Sequence, residues 1–440
     1  MKRFGLLFLF IILASATQIE RDTLANGSVV LTVESHKIPV VQMKVVVYAG
    51  SVFDPHGKEG LANLVSQFLL RGTESHPASE MVEAIEFVGG GLSPFASVDY
   101  AGLDGKVLSK DLFQLIDLLS DCLQNPELDS MQLLGLKKEA ISQIRASAND
   151  PFELNAREFR NLVFQDNPLA HSPEGYETSV ATISMPDVRE FYNRYYSPNN
   201  TFFVFVGDFD KDSLMVMLQN KFGDWQRQKL SKPQINEPIV SDHSIGKIIK
   251  MDISQAYIML GNLGPKYGDA DWHAARVMNF ILGGAGLTSR IAQKIREEKG
   301  LAYDAYSRFY RFNTGGYYMA RVQTRKEMAN EVVQTLISEM KRMQDTIDIA
   351  ELNRAKKFYI GSFPLTYSTF RDMAETVTEI ESGNFGLDYL SEFEKFIEAV
   401  TIAEVKAAAT KYLHPDRFYL LIVGDLEPLD ITVEGIEWVK

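Results

Sequence analysis

The seven histidines, His36, His56, His76, His171, His243, His273 and His414, are the natural first search for a bound metal. No two stand three to five residues apart, so there is no helical pair to hold zinc. Each reads as a surface or loop residue. The lone cysteine, Cys122, lies in "FQLIDLLSDCLQNP" beside the helical series Leu115, Leu118, Leu119 and Leu123. That placement suits a small buried hydrophobe better than a nucleophile. No G-x-S-x-G elbow occurs. "GGAG" at 283–286 lacks the Gly-Lys-Ser/Thr of a phosphate loop and reads as a tight connection.

Two other groupings stand out. In "GLANLVSQFLLRGT" (60–73), Leu61, Leu64, Val65, Phe68 and Leu69 form the apolar stripe of a core-facing helix. Asn63, Ser66 and Gln67 share the opposite side with Leu70. They are polar but uncharged, where a water-facing side would more often carry Lys or Glu. The second grouping follows "GGAG". A helix is expected over 288–299, with Thr288 or Ser289 as N-cap and Gly300 just past its end. Arg296 falls in its last turn and Tyr303 on the strand beyond. By residue type alone, Arg296 reads as an exposed helical arginine and Tyr303 as a half-buried strand aromatic.

These groups must be positioned by a repeated architecture. "YYSPNNTFFVFVGDF" (195–209) matches "YLHPDRFYLLIVGDL" (412–426), with Pro198, Gly207 and Asp208 facing Pro415, Gly424 and Asp425 at one common offset. Three punctuating residues in register imply a duplicated domain. The copies run over 18–225 and 246–440. Residues 226–245 between them, with two prolines, have the composition of a linker. Strands are expected at 40–50 and 256–264 and helices at 111–125 and 327–343. A hairpin of 300–312 with 315–324, turning at "NT", favours antiparallel pairing. The expected class is α+β: two domains, each a mostly antiparallel sheet with helices packed on one face.

The chain of 440 residues is 45% hydrophobic and 23% charged, ordinary for a globular protein, and its net charge of −13 disfavours nucleic acid and anionic membranes as partners. The N-terminus "MKRFGLLFLFIILASATQIE" has a basic start, an apolar run too short to span a bilayer, and Ala14-Ser15-Ala16 as a cleavage pattern. Residues 1–16 therefore read as a signal peptide, giving an exported, periplasmic or secreted protein. No later segment is apolar and long enough to cross a membrane.

The chain resembles the pitrilysin or insulinase family of zinc metallopeptidases, including the mitochondrial processing peptidase group. The resemblance is carried by "YAGSVFDPHGKEGLANLVSQFLLRGT" (48–73), "FVGGGLSPFASVDY" (87–100), the two Gly-Asp strand ends and "LGGAGLTSRIAQKIREEKGLAY" (282–303). It implies repeated α+β domains facing each other like a clam shell, and pairing of small members around a peptide-holding chamber. The family signature H-x-x-E-H lies on the helix of 60–73. There, two histidines hold zinc and a glutamate activates water. This chain has Asn63, Ser66 and Gln67 at those positions, and the family's downstream glutamate falls at Gln143. All four are neutral and poor zinc ligands or bases. The family's substrate-pairing edge strand carries an Asn-Ala step, replaced here by Ser93-Pro94, where proline removes a donor.

The family's arginine and tyrosine, which reach the zinc site from the second domain, match Arg296 and Tyr303. The resemblance thus implies a non-catalytic subunit of a two-chain peptidase. Arg296 would grip substrate and Tyr303 would steady the oxyanion in a partner's site. Zinc is expected in an H-x-x-E-H-bearing homologous subunit and no cofactor in this chain. The substrate would be a peptide or unfolded segment. The alternative is an inert peptide-binding or scaffold protein of the same fold. A homodimeric hydrolase with an unrecognised site ranks third, because no acid–base constellation appears.

Overall fold

The apolar runs that end in Gly-Asp are the central strands of two sheets. The computed structural model describes residues 18–87 and 90–439. The signal-peptide reading of 1–16 lies outside the described residues. The first sheet contains β1 (Glu20–Thr23), β2 (Val29–Glu34), β3 (Val40–Val47), β4 (Gly91–Ala96), β5 (Ala101–Leu108) and β6 (Thr201–Gly207), ordered β1-β2-β6-β3-β5-β4. The second contains β7 (Ser244–Lys250), β8 (Gln255–Leu263), β9 (Ala302–Arg311), β10 (Gly316–Arg325), β11 (Tyr419–Gly424) and β12 (Ile436–Val439), ordered β12-β7-β11-β8-β10-β9.

Five strands thus repeat in the same spatial order, with β6 and β11 in matching places. The sixth differs. β1 runs antiparallel to β2, whereas β12, drawn from the opposite end of the chain, runs parallel to β7. Within each repeat the central strand is parallel to one neighbour and antiparallel to the other. The connection 226–243 is irregular up to the start of β7.

Every residue of β6 and β11 is buried, which requires cover on both faces of each sheet. One face is covered by the sheet's own helices. In the first half, Val30, Met43, Val45, Phe203 and Phe205 pack with the stripe of Leu61–Phe68 and with Leu115, Leu119 and Cys122 of Leu112–Gln124. The thiol of Cys122 is pushed up to about 12 by burial, so it stays protonated and inert.

The other face is covered by exchange. Helix Phe370–Ser382 of the second half lays Met373, Ala374, Val377 and Ile380 against Leu31, Val33, Val204 and Val206 of the first sheet. Helix Pro151–Phe164 of the first half lays Phe159, Leu162 and Val163 against Met259, Met319 and Leu421 of the second. The helices expected on one face are present. The second face is closed by a helix from the other half. Polar groups fix the exchange: Asn155 Nδ2 donates to the Tyr257 carbonyl at 3.0 Å, and buried Lys44 pairs with Glu375 at 2.5 Å. The two hairpin tips also meet, because the Asn313 N–H donates to the buried Asp99 carboxylate at 3.1 and 3.2 Å.

Candidate functional site

Helix Leu61–Phe68 starts from Gly60, whose φ of 101° and 2.8 Å approach of a would-be Cβ to the Glu174 carbonyl leave room for glycine only. Its free N–H groups are taken by Asp54, which accepts from Gly60 and Ala62 at 2.8 Å each. Burial raises the Asp54 carboxyl, and His171 stands beside it with Nε2 3.3 Å away. This capping pair has no signal in residue spacing. His171 keeps its expected loop position but is buried. His273 departs from the expectation, since it lies on helix Trp272–Asn279, stacked 5.0 Å from Phe396, with its pKa pushed down to about 4 by burial and Arg276.

The polar seam lies as the helical spacing predicts, with Asn63 and Gln67 half-buried and Ser66 fully buried. Its hydrogen bonds turn inward. Ser66 Oγ donates to the Asn63 carbonyl at 2.8 Å, and Gln67 Nε2 donates to Asn63 Oδ1 at 3.4 Å. Gln143 lies on the neighbouring helix Ser130–Ala148, which Arg71 clamps to the seam helix through Glu139 at 2.5 Å. The Gln143 side chain lines a separate hollow of about 190 Å³ with Ser147, Glu153 and Glu174, and no hydrogen bond joins it to the seam among the described residues. Zinc requires thiolate, imidazole or carboxylate donors converging on one point. An amide pair bonded to itself does not fit, and no cluster of three or more such donors occurs among the described residues.

The substrate-edge prediction falls on β4, the last strand of the first sheet, paired only with β5. The Ser97 N–H donates to the Tyr100 carbonyl at 2.8 Å, and the register from there to Gly91 is continuous. Antiparallel alternation then turns the backbone of Ser93 and Phe95 toward β5 and that of Leu92 and Pro94 toward the open edge. Pro94 therefore withholds a donor at the point where an added strand would need one.

Arg296 and Tyr303 are brought together. The Arg296 guanidinium sits 4.5 Å from the Tyr303 ring centroid, and Tyr303 is 82% exposed. Burial is thus the reverse of the expectation from residue type, since the arginine is the more sheltered, at 31% side-chain exposure. The helix that carries Arg296 starts at Ser289, which caps Ala292 N–H, and ends before Gly300 at φ 60°. Within it, Gln293–Glu298 is wound as a π-helix, a form concentrated at functional sites. The π winding has no residue-type signature, so spacing alone missed it.

Two devices hold this segment. Buried Arg290 forms a fork on Glu351, with Nε at 2.8 Å and Nη2 at 2.5 Å. Gly283 lets the preceding turn press on β9, since a Cβ there would meet Ser307 Oγ at 2.2 Å.

Comparison with known proteins gives two family matches. The model of insulinase, peptidase family M16, matches residues 29–175, and that of the peptidase M16 inactive domain matches residues 182–359. An uncharacterized zinc protease of Rickettsia bellii is 22% identical over 382 residues, covering 87% of this chain and 90% of its own. An uncharacterized zinc protease of Mycobacterium bovis is 25% identical over 415 residues, covering 93% and 94%. In fold, the chain is similar to the crystal structure of a peptidase M16 inactive domain from Pseudomonas fluorescens, at TM-score 0.86 and 24% identity, covering 96% of this chain and 100% of that one. A protease from Helicobacter pylori matches at TM-score 0.85 and 19% identity, covering 93% and 99%.

Proposed function

We infer the function from one premise: the chain belongs to the insulinase family of peptidases, M16. We propose that it is the non-catalytic subunit of an exported, two-chain zinc peptidase. Its partner would carry H-x-x-E-H and the metal. This chain would lend Arg296 and Tyr303 to the partner's site, as a fork for a substrate carbonyl or carboxylate and a hydroxyl for the developing oxyanion.

The observation that carries this reading is an asymmetry between the halves. On this reading Asn63, Ser66 and Gln67 of the first half replace the metal ligands and base, and Ser66 and Gln67 donate instead to Asn63. The second half keeps Arg296 beside an exposed Tyr303 on a π-wound segment held by a buried ion pair.

The test is purification of the chain alone and with an H-x-x-E-H-bearing homologue. Alone, it should hold no stoichiometric zinc and cleave no member of a peptide library. Zinc-dependent cleavage by the pure single chain would sink the reading. Export is tested by cell fractionation and by N-terminal sequencing of the mature protein, expected to start after residue 16. A second reading is an inert peptide-binding or scaffold protein of the same fold, and Pro94 at the open edge of β4 is compatible with either role. It gains if Arg296→Ala with Tyr303→Phe leaves the activity of the two-chain complex unchanged.

A further inference from the structure

A cavity of about 400 Å³ lies where the connector crosses the end of the second sheet, beside the turn that precedes β10 and the start of β11. This volume lies in the range of small-ligand pockets. Pro238 and Val240 of the connector and Leu263 of β8 give it an apolar side. Gly315 lets the connector come this close, since a Cβ there would stand 3.0 Å from the Pro238 ring and 2.7 Å from Leu169. The rest of the lining is polar, and three of its atoms are orphans. Thr314 Oγ1, Arg417 Nε and Tyr419 Oη are buried and have no hydrogen-bond partner. Buried polar groups are nearly always paired, so three orphans gathered on one cavity call for a polar partner.

Most charges of this lining are spent on one another. Lys266 is bound by Glu237, and Lys411 by Asp271 at 2.8 Å. His243 is held between Asp242 at 2.6 Å and Glu437 at 2.7 Å. Asp269 accepts from the Lys266 N–H at 3.1 Å and from the Tyr412 hydroxyl at 3.4 Å. Arg417 is the exception. Among the described residues its side chain donates no hydrogen bond and has no carboxylate within ion-pair distance. Its field reaches Asp242, but that carboxylate is 96% exposed and bonded to His243. His414, on the turn that leads to Arg417, has its pKa lowered by burial and by Arg417, so it brings no second charge at neutral pH. The Ser241 N–H lies toward the Tyr419 oxygen, which leaves the proton of the phenol to be donated.

A cation here would be repelled by Arg417, and a dianion would bring a charge that no second cation is free to meet. A carboxylate matches the planar guanidinium and also accepts from the hydroxyls of Tyr419 and Thr314. We propose that this cavity binds a small monocarboxylate with an apolar body. Its carboxylate lies on Arg417 and Tyr419, and its body lies against Pro238, Val240 and Leu263. A zwitterion is a poorer occupant, because the lining offers its ammonium no unspent carboxylate. The site uses neither Arg296, Tyr303 nor the seam residues, so it stands or falls apart from the reading above. An occupant would pin the connector to the start of β11.

The experiment is isothermal titration of the purified full chain with 3-phenylpropionate, its amide, phenylalanine and inorganic phosphate. The acid should bind one to one, and the other three at least about tenfold more weakly, the size of one charge-assisted pair. Arg417→Gln should bring the acid down to the affinity of the amide and leave the amide unchanged, with Arg417→Lys falling between. Tyr419→Phe should weaken the acid several-fold without lowering the urea midpoint, because the hydroxyl it removes has no partner. Absence of binding at millimolar acid would mean that the orphaned groups meet water only, and would overturn the proposal. So would equal affinity for acid and amide, phenylalanine or phosphate binding as tightly as the acid, or an Arg417→Gln chain that binds the acid as before.

Discussion

Arg296 holds its guanidinium 4.5 Å from the Tyr303 ring centroid on a face where the phenol is open to solvent. An exposed cation–π contact contributes only about 0.5–1 kcal/mol. Arg296→Ala should therefore lower stability by no more than about that amount, and Tyr303→Phe, which keeps the ring, by less. Activity of the complex with a zinc-bearing partner should fall about 100-fold for Tyr303→Phe, the scale of a lost oxyanion donor. Urea melts and peptide-cleavage rates on the same preparations separate the two effects. Equal losses in both would assign the pair to structure.

Lys44 is buried in the first sheet and pairs with Glu375 on the exchanged helix, with Asp104 at 3.9 Å and the Phe95 ring at 4.7 Å as lesser partners. Removing the carboxylate leaves a buried ammonium short of its main counter-charge, while removing both charges does not. Glu375→Gln should destabilise by about 2 kcal/mol, and adding Lys44→Met should recover much of it. Denaturant midpoints of the four proteins in the cycle measure the coupling. Additive effects would show that the two residues act independently.

Asp99 joins the two hairpin tips, and burial pushes its carboxyl up to about 6, with Arg160 as the opposing cation. In the unfolded chain an aspartate ionises near pH 4. The folded state therefore binds the proton more tightly. The stability this contributes is full below about pH 4 and lost as pH rises through about 6. Two units correspond to at most about 3 kcal/mol. Asp99→Asn keeps an oxygen for the Asn313 N–H and should flatten this window. The measurement is the difference in unfolding free energy between wild type and variant from pH 4.5 to 7.5. A constant difference would contradict the shift.

Pro94 points its missing donor at the open side of β4. Pro94→Ala restores one N–H without disturbing the bonds to β5. Extended peptides should then bind the chain several-fold more tightly, about the worth of one hydrogen bond, with little change in melting temperature. Fluorescence anisotropy of a labelled unfolded peptide reads the change. Unchanged affinity would mean that this edge is not where peptides lie.

Much of the architecture was legible because punctuation survives duplication. Pro198, Gly207 and Asp208 and their counterparts located β6 and β11, and alternation and apolar spacing located β3, β8, the β9–β10 hairpin and the seam helix. The continuous runs "FFVFV" and "YLLIV" also state that both faces of each central strand are buried. They do not state by what, because any apolar helix face satisfies them. The exchange of Pro151–Phe164 and Phe370–Ser382 is a tertiary choice without a local signal. At the site, residue type alone misjudged the exposure of Tyr303, since an edge strand presents one side to solvent whatever aromatic it carries. The Asp54–His171 cap was hidden because its partners are far apart in sequence and both lie in loops.

The exchanged helices have a consequence for how the molecule holds together. A half standing alone would expose an apolar sheet face and an apolar helix stripe, each of which fits the other half. Two separated halves would have to find one another, and their folding would depend on concentration. The connector of 226–243 turns that encounter into an intramolecular one, with a local concentration set by its own length. Unfolding of the intact chain should be independent of protein concentration, whereas a chain nicked in the connector should unfold at a midpoint that falls on dilution. In thermodynamic terms the protein is an obligate pair carried on one thread.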